Sequence, residues 1–252
     1  MEELLRITVT DNVYNILKDK ILNLDYKPGR ALSAVKITKE MNVSRSPARE
    51  ALIKLQSDNL VEIIPQVGTK VSLINLDKLN EERFLRTSLE NAALTTFTYN
   101  HSTEQINKME ELIIKQEQAL LSQNFIKLLE YDNRFHEIVF TSIRKPDCWK
   151  LLTNYNSNEY RIRLLALLAL KETTEYVINS HESLIKFIKE KNEKKVIECS
   201  NLHFSKMNEE IPKLLSIYPE IFEYNETKNK NQNTRINKNE NNFMDSILKS
   251  KI

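Results

Sequence analysis

The chain has 252 residues and nearly balanced charge, 37 Lys or Arg against 35 Asp or Glu, for a net of +2. Its two glycines, Gly29 and Gly68, exclude a glycine-rich phosphate loop, and its two cysteines are too few for a disulfide scaffold, so reduced thiols are expected. The longest apolar run, Leu164 to Leu170, is far too short to cross a bilayer, and the first residues lack the charged-then-apolar pattern of a secretion signal, so a cytoplasmic protein with no membrane partner is expected.

Near the N-terminus, Val13, Ile16, Leu17, Ile21 and Leu24 recur at helical spacing, and Asp25-Tyr-Lys-Pro-Gly29 then supplies a turn. Ser33 to Met41 reads as a short helix with Ile37 and Met41 facing inward, and Asn42-Val43 forms the turn into the next helix. With Ser44 as N-cap, its hydroxyl can accept an orphan backbone N–H, and Pro47 falls in the first turn, where its missing donor costs nothing. Arg45 and Arg49 then stand about 40° apart around the axis and leave one side of the helix near its N-terminus. Ala48, Ala51, Leu52 and Leu55 form the opposite, apolar stripe. Leu60 to Ile64 and Thr69 to Leu73 are rich in β-branched residues and flank Pro65-Gln66-Val67-Gly68, a hairpin signal. Between residues 27 and 54 seven Lys or Arg face two Glu, so attraction for phosphate is concentrated where this helix-turn-helix lies.

The run Leu-x4-Ile-x5-Val-Ser-Arg-x-Pro-x-Arg-Glu-Ala-Leu-x2-Leu from Leu32 to Leu55, followed by Leu60-Val61 and Gly68-x2-Val71, resembles the winged-helix domain of GntR-type bacterial transcription regulators. The resemblance implies binding to double-stranded DNA, with Arg45 and Arg49 on bases, Ser44 and Ser46 on backbone or base edges, and Gly68 letting the wing tip approach the minor groove. Ala34, Val35, Asn59 and Val67 depart from the usual pattern of that domain.

From Leu76 onward the pattern is helical throughout. Leu79, Phe84, Leu85, Leu89 and Ala93 form one stripe; Ile106, Met109, Leu112, Ile113, Leu120 and Leu121 a second; Phe125, Leu128, Leu129 and Phe135 begin a third. Breaks near Asn100 to Ser102, Ser122 to Asn124, Lys145-Pro146, Lys171 to Thr174 and Lys191 to Glu193 predict an antiparallel bundle of six or seven helices. The expected fold is therefore mainly α: a winged helix-turn-helix with a small β-hairpin wing over residues 1–75, a helical bundle over 76–224, and an Asn/Lys-rich, disordered tail over 225–252 with a net charge of +3.

The bundle's chemistry rests on histidines, of which the chain has four. Asp132 and His136 lie at i and i+4, so a carboxylate and an imidazole project from one helix face, while His181 and His203 stand 22 residues apart on two later amphipathic helices. Each taken singly reads as a hydrogen-bonded core or surface residue; together, three imidazoles and a carboxylate suit a divalent transition metal such as Zn, Ni or Mn with positions left open. Cys199 and His203, also i and i+4, would make half of a thiolate site, but no second cysteine has matching spacing and Cys199 reads as a small packing residue. His101, at the opening of a loop, reads as solvated.

The spacing Asp-x2-Phe-His over Asp132 to His136, with His181 and His203 beyond it, resembles the FCD ligand-binding domain that accompanies this winged helix, over about residues 76 to 220. The resemblance implies that Asp132, His136, His181 and His203 hold a metal beside a small carboxylate effector, with Arg86 of Arg-Thr-Ser-Leu-Glu90 able to clamp it bidentately and Arg161 and Arg163 as further pocket residues. A ligand-responsive regulator follows, paired as a homodimer on a palindromic operator rather than acting as an enzyme. The alternatives are a metal-dependent enzyme using the three histidines and Asp132, for which no separate general base is evident, and an architectural DNA binder with a structural bundle.

Overall fold

The computed structural model describes residues 8–223; the tail expected to be disordered over 225–252 lies outside the described residues. The chain divides into two compact units, Met1–Asn75 with Glu220–Ile252, and Leu76–Pro219. Among the described residues there are ten α-helices and one three-stranded sheet, and no helix is long and apolar enough to cross a membrane.

In the first unit, helix α1 (Val9–Leu22) starts at a capping box in which Thr8 and Asp11 satisfy each other's backbone N–H. Its Val13, Leu17 and Ile21 are buried, whereas Ile16, which shares their sequence stripe, stays partly exposed. After β1 (Ala31–Leu32), α2 (Ala34–Met41) ends at Asn42 in the left-handed conformation, and α3 (Arg45–Ser57) follows. Ala48, Ala51, Leu52 and Leu55 are all buried and pack on α1; the alanines let the two helices approach closely. Burying each leucine is worth about 2 kcal/mol, and Leu55→Ala would cost about 2–5 kcal/mol through the cavity it leaves. Strands β2 (Val61–Ile64) and β3 (Gly68–Val71) form an antiparallel hairpin in register Val61 to Val71 and Ile64 to Gly68, and β1 pairs on the other edge of β3, giving the order β1-β3-β2. The strand at Ala31–Leu32 has no counterpart in the sequence reading, because two residues are too few to show an alternation. At the wing tip Gln66 has φ 62° and Gly68 φ 136°; a Cβ at Gly68 would meet nothing within 4 Å, so glycine is there for the backbone conformation and not for space.

Residues 220–223, placed by the sequence pattern at the end of the bundle, belong with the first unit. Ile74 pairs there in parallel with Phe222: its N–H donates to the Ile221 carbonyl at 2.8 Å and its carbonyl accepts from the Glu223 N–H at 2.9 Å.

The second unit is all helical: α4 (Leu76–Asn100), α5 (Thr103–Leu121), α6 (Phe125–Ser142), α7 (Pro146–Asn154), α8 (Ser157–Ala169), α9 (Lys171–Lys189) and α10 (Glu193–Ile217). Ser102 and Gln105 form a capping box on α5, Asn124 and Asn192 cap α6 and α10, and Pro146 opens α7. Gln123, Arg144 and Lys191 take the left-handed conformation in the tight turns, a task usually given to glycine and costing each of them about 1 kcal/mol. Two breaks differ from the sequence reading. The turn at Tyr155-Asn156, which separates α7 from α8, was not marked by Gly or Pro, and α9 begins directly after an extended Leu170 rather than at a loop over 171–174.

An apolar core of Phe97, Met109, Ile113, Phe135, Val139, Phe140, Leu184, Ile185, Ile188 and Val196 fills one part of the bundle. Elsewhere the bundle also buries charged side chains. Helix α4 turns Glu82, Arg86 and Glu90 inward and leaves Phe84 77% exposed, so its buried face is offset from the apolar stripe expected of it. Leu121, at 85% exposure, likewise departs from its stripe.

Candidate metal centre and nucleic-acid interface

On α3, Ser44, Arg45, Ser46 and Arg49 are all exposed. Ser44 holds the N-cap position with extended backbone, φ −72° and ψ 171°, yet its hydroxyl makes no capping bond; this corrects the capping expected from the sequence and leaves the hydroxyl at the surface beside the arginines. Neighbouring polar groups of α3 serve the fold: Glu50 accepts from the Thr10 hydroxyl at 2.9 Å, and the Lys54 ammonium reaches Asp11 at 2.6 Å. Arg45 and Arg49 are thus set apart from the α1–α3 packing, and Gly68 is exposed at the wing.

In the second unit, Asp132 and His136 on α6, His181 on α9 and His203 on α10 converge, each offering one ligand atom within 4.8 Å of the others. The three imidazole centroids are 4.9–5.4 Å apart, and His181 stacks on Phe135 at 4.2 Å. Each ring is turned by a partner on its Nδ1. His136 Nδ1 lies 2.9 Å from a Glu90 carboxylate oxygen, and His181 Nδ1 lies 3.0 Å from the Gln116 amide oxygen. His203 Nδ1 is 2.7 Å from Ser180 Oγ, whose own hydrogen goes to the Val177 carbonyl, so the serine oxygen accepts from the ring. All three acceptors place the proton on Nδ1 and leave Nε2 as a bare lone pair. Nε2 of His136 and of His181 is buried and without a hydrogen-bond partner. Such orphaned acceptors deep in a core are costly unless something binds them.

Burial pushes the His181 imidazole down to about 3, with Asp132 pulling only partly the other way, and burial beside His181 and His136 also holds His203 well below the ordinary histidine range. Both are therefore neutral at neutral pH, the form a metal requires. Burial pushes the Asp132 carboxyl up, but the adjacent Arg163 guanidinium, helped by His136, more than reverses this and keeps it ionised. Glu90 behaves alike: burial raises it, and His136 and Arg86 outweigh that. Three imidazole nitrogens and an anionic carboxylate oxygen form a donor set that fits a divalent transition metal.

Beside the cluster is a cavity of about 40 Å³, lined in part by Arg83, Arg86, Asp132, Glu159, Arg163 and His203. Arg86 is buried, its Nε 3.3 Å from Glu90 and its Nη1 3.1 Å from Glu159, in a buried ionic network. Arg163 bonds Asp132 and, at 3.0 Å, the Asn133 side chain. Arg161 is not brought to the cavity: it is fully buried along α8, bonded to the Ser157 carbonyl at 3.0 Å and the Asn158 side chain at 3.1 Å. Arg83, unmarked in the sequence, lines the cavity and bonds the Phe204 carbonyl and Asn208. His101 caps the end of α4, its Nδ1 3.2 Å and 3.1 Å from the Phe97 and Thr98 carbonyls, and is only part-exposed.

Glu90, Gln116 and Ser180 escaped the sequence reading. Glu90 and Gln116 had a signal: each is a polar residue at a position where the helical period calls for an apolar one, Glu90 between Arg86 and Ala93 and Gln116 between Ile113 and Leu120. Ser180 had none.

A winged helix-turn-helix followed by an all-helical bundle with a buried histidine and aspartate cluster defines a class of DNA-binding regulators. Comparison with known proteins bears this out: residues 9–71 match the family described as "Bacterial regulatory proteins, gntR family" and residues 83–206 match the FCD domain. The chain belongs to the GntR-type DNA-binding transcription regulators that carry an FCD domain, a family of regulators and not of enzymes. It is 25% identical over 206 residues to the HTH-type transcriptional repressor RspR of Escherichia coli (strain K12), covering 81% of this chain and 89% of that one. It is 24% identical over 192 residues to the gluconate operon transcriptional repressor of Bacillus licheniformis, covering 75% and 79% of the two chains. In fold it is similar to E. coli McbR/YncC, with a TM-score of 0.68 at 21% identity over 84% of this chain and 99% of that one. A GntR regulator structure from Rhodococcus sp. RHA1 gives a TM-score of 0.69 at 19% identity, over 81% and 97% of the chains.

Proposed function

We propose that this regulator senses a small organic acid at a metal held by Asp132, His136, His181 and His203, and that occupancy of the site changes its affinity for double-stranded DNA. The observation that carries the reading is the shared orientation of the three imidazoles, each with Nδ1 engaged by its own acceptor and Nε2 left for a ligand. A bound divalent metal would supply a Lewis-acidic centre for a carboxylate oxygen. The chain's own residues do the rest. Arg86 offers a buried, unpartnered Nη2 on the wall of the adjoining cavity, and Arg163 orients Asp132 while adding positive charge. Arg45 and Arg49 read base edges, with Ser44, Ser46 and the wing tip at Gly68 on the backbone and groove. Two copies pair as a homodimer to cover a palindromic operator.

The test combines elemental analysis with DNA binding. Purified protein should carry about one divalent transition metal per chain, and His136→Ala and His203→Ala should lose it while keeping their helicity. Binding to duplexes from the neighbourhood of the protein's own gene should respond to chelator and to organic acids. Full metal retention in both variants removes the site assignment; DNA binding indifferent to chelator and acids favours a structural bundle on an architectural DNA binder.

A further inference from the structure

The cavity beside the histidines holds unmet demand of two opposite kinds. Arg86 Nη2 is buried and bonds nothing. Glu159 Oε2 and Glu210 Oε2 are also buried and unpartnered, although the other oxygen of each is engaged: Glu159 Oε1 by Arg86 Nη1 at 3.1 Å, Glu210 Oε1 by the Thr173 hydroxyl at 2.5 Å. All of these residues line the same cavity, and Glu159 and Glu210 are 5% and 2% exposed. An ionised carboxylate can only accept hydrogen bonds, so two free oxygens among the residues lining one cavity call for donors, and a positively charged donor serves best. A plain carboxylate ligand would answer Arg86 and leave both oxygens unsatisfied.

Resting on the reading of this cavity as the effector site, we propose that the effector is a small zwitterion, an organic acid that also carries a protonated amine, whose acid group meets Arg86 on the metal side and whose ammonium is received by Glu159 and Glu210. The amine fills the acceptors that an acid alone leaves empty.

The discriminating experiment is calorimetric titration of the zinc-loaded full-length protein with butanoate, with its α-, β- and γ-amino derivatives, and with the three matching hydroxy derivatives. The expected result is that at least one amino acid binds about tenfold or more tighter than butanoate and than its own hydroxy analogue. Glu159→Gln and Glu210→Gln should each remove most of that advantage, lowering the affinity for the amino derivative far more than the affinity for butanoate. Should Glu159→Gln fail to fold, because Arg86 loses a partner, Glu210→Gln alone decides. Butanoate binding as tightly as every amino derivative, a hydroxy derivative matching the amino one, or an amine advantage intact in the folded Gln variants overturns the ammonium subsite and leaves an acid-sensing site standing. No heat with any of the seven compounds overturns the acid-sensing reading and this inference together.

Discussion

Single residues set both chemistries of this protein. Arg49 leaves α3 on the exposed side, free of the contacts that tie Glu50 and Lys54 to α1. Arg49→Ala should cost about 1–3 kcal/mol at one base position per half-site, measured as binding to an operator series with single base changes; an equal loss on every sequence would reduce Arg49 to a phosphate contact. The imidazoles make a separate expectation about acid. His181 is held at about 3 against an ordinary 6.5, and His203 is lowered too, chiefly by burial. Between those pH values the unfolded chain takes up protons on these rings that the folded chain refuses, so stability is present above about pH 6.5 and is lost as pH falls toward 3. Urea midpoints of chelator-treated protein should fall between pH 7 and about pH 5, with a shallower fall in His181→Gln; coincident curves for the two proteins would deny His181 this role. In sequence, Asp132 and His136 announced themselves by spacing, whereas the pairing of Glu90, Gln116 and Ser180 with the imidazoles did not, because a residue that steers an imidazole needs only to lie near it in space. The separations from their histidines are 46, 65 and 23 residues.

Among the elements, α8 shows how a buried charge can serve as a cap. Its first turn lacks a capping side chain of its own at Asn156; instead Glu82 of α4 accepts from the backbone N–H groups of Asn158 and Glu159 at 3.0 Å and 2.8 Å and from the Asn158 side chain at 2.7 Å. Burial pushes the Glu82 carboxyl up, and these hydrogen bonds oppose it. The contact fixes the start of the helix that carries Glu159 and Arg163 to the cavity. Glu82→Ala should cost about 1–3 kcal/mol by leaving buried donors unmet, read as a lower denaturation midpoint at unchanged slope. It should also weaken effector binding, whereas an unaltered midpoint would show that water replaces the carboxylate. Here the sequence pattern misled in an instructive way. Phe84, Leu85 and Leu89 suggested an ordinary apolar stripe on α4, yet Phe84 is exposed and Glu82, Arg86 and Glu90 face inward. Hydrophobic periodicity reports burial only where burial is apolar. A helix that buries paired charges is invisible to it. The α7–α8 break at Tyr155-Asn156 was hidden for a related reason, having neither Gly nor Pro to mark it.

At the scale of the whole molecule, a metal that binds the folded helical unit and not the unfolded chain stabilises it by mass action, about 4 kcal/mol when free metal is a thousandfold above Kd. Thermal unfolding should therefore lose roughly 10 °C on chelation and regain it on adding back zinc, nickel or manganese; an unchanged transition with full metal removal would leave the ion without a stabilising role. The amino-acid sequence by itself determined the winged helix, since turn residues, β-branched strands and the α3 stripe are local signals that agree with one another, and it determined that helices follow Leu76. It also placed Asp132 and His136 on one face of one helix. Only the tertiary structure decided that His181 and His203 close on that pair, that Arg163 and Arg86 reach the cavity while Arg161 remains inside α8, and that Glu159 and Glu210 stand there with free oxygens. The physical reason is distance along the chain: local preference is written in neighbouring residues, but the protonation and orientation of a buried side chain belong to partners supplied by other helices, and those are known only once the helices have packed.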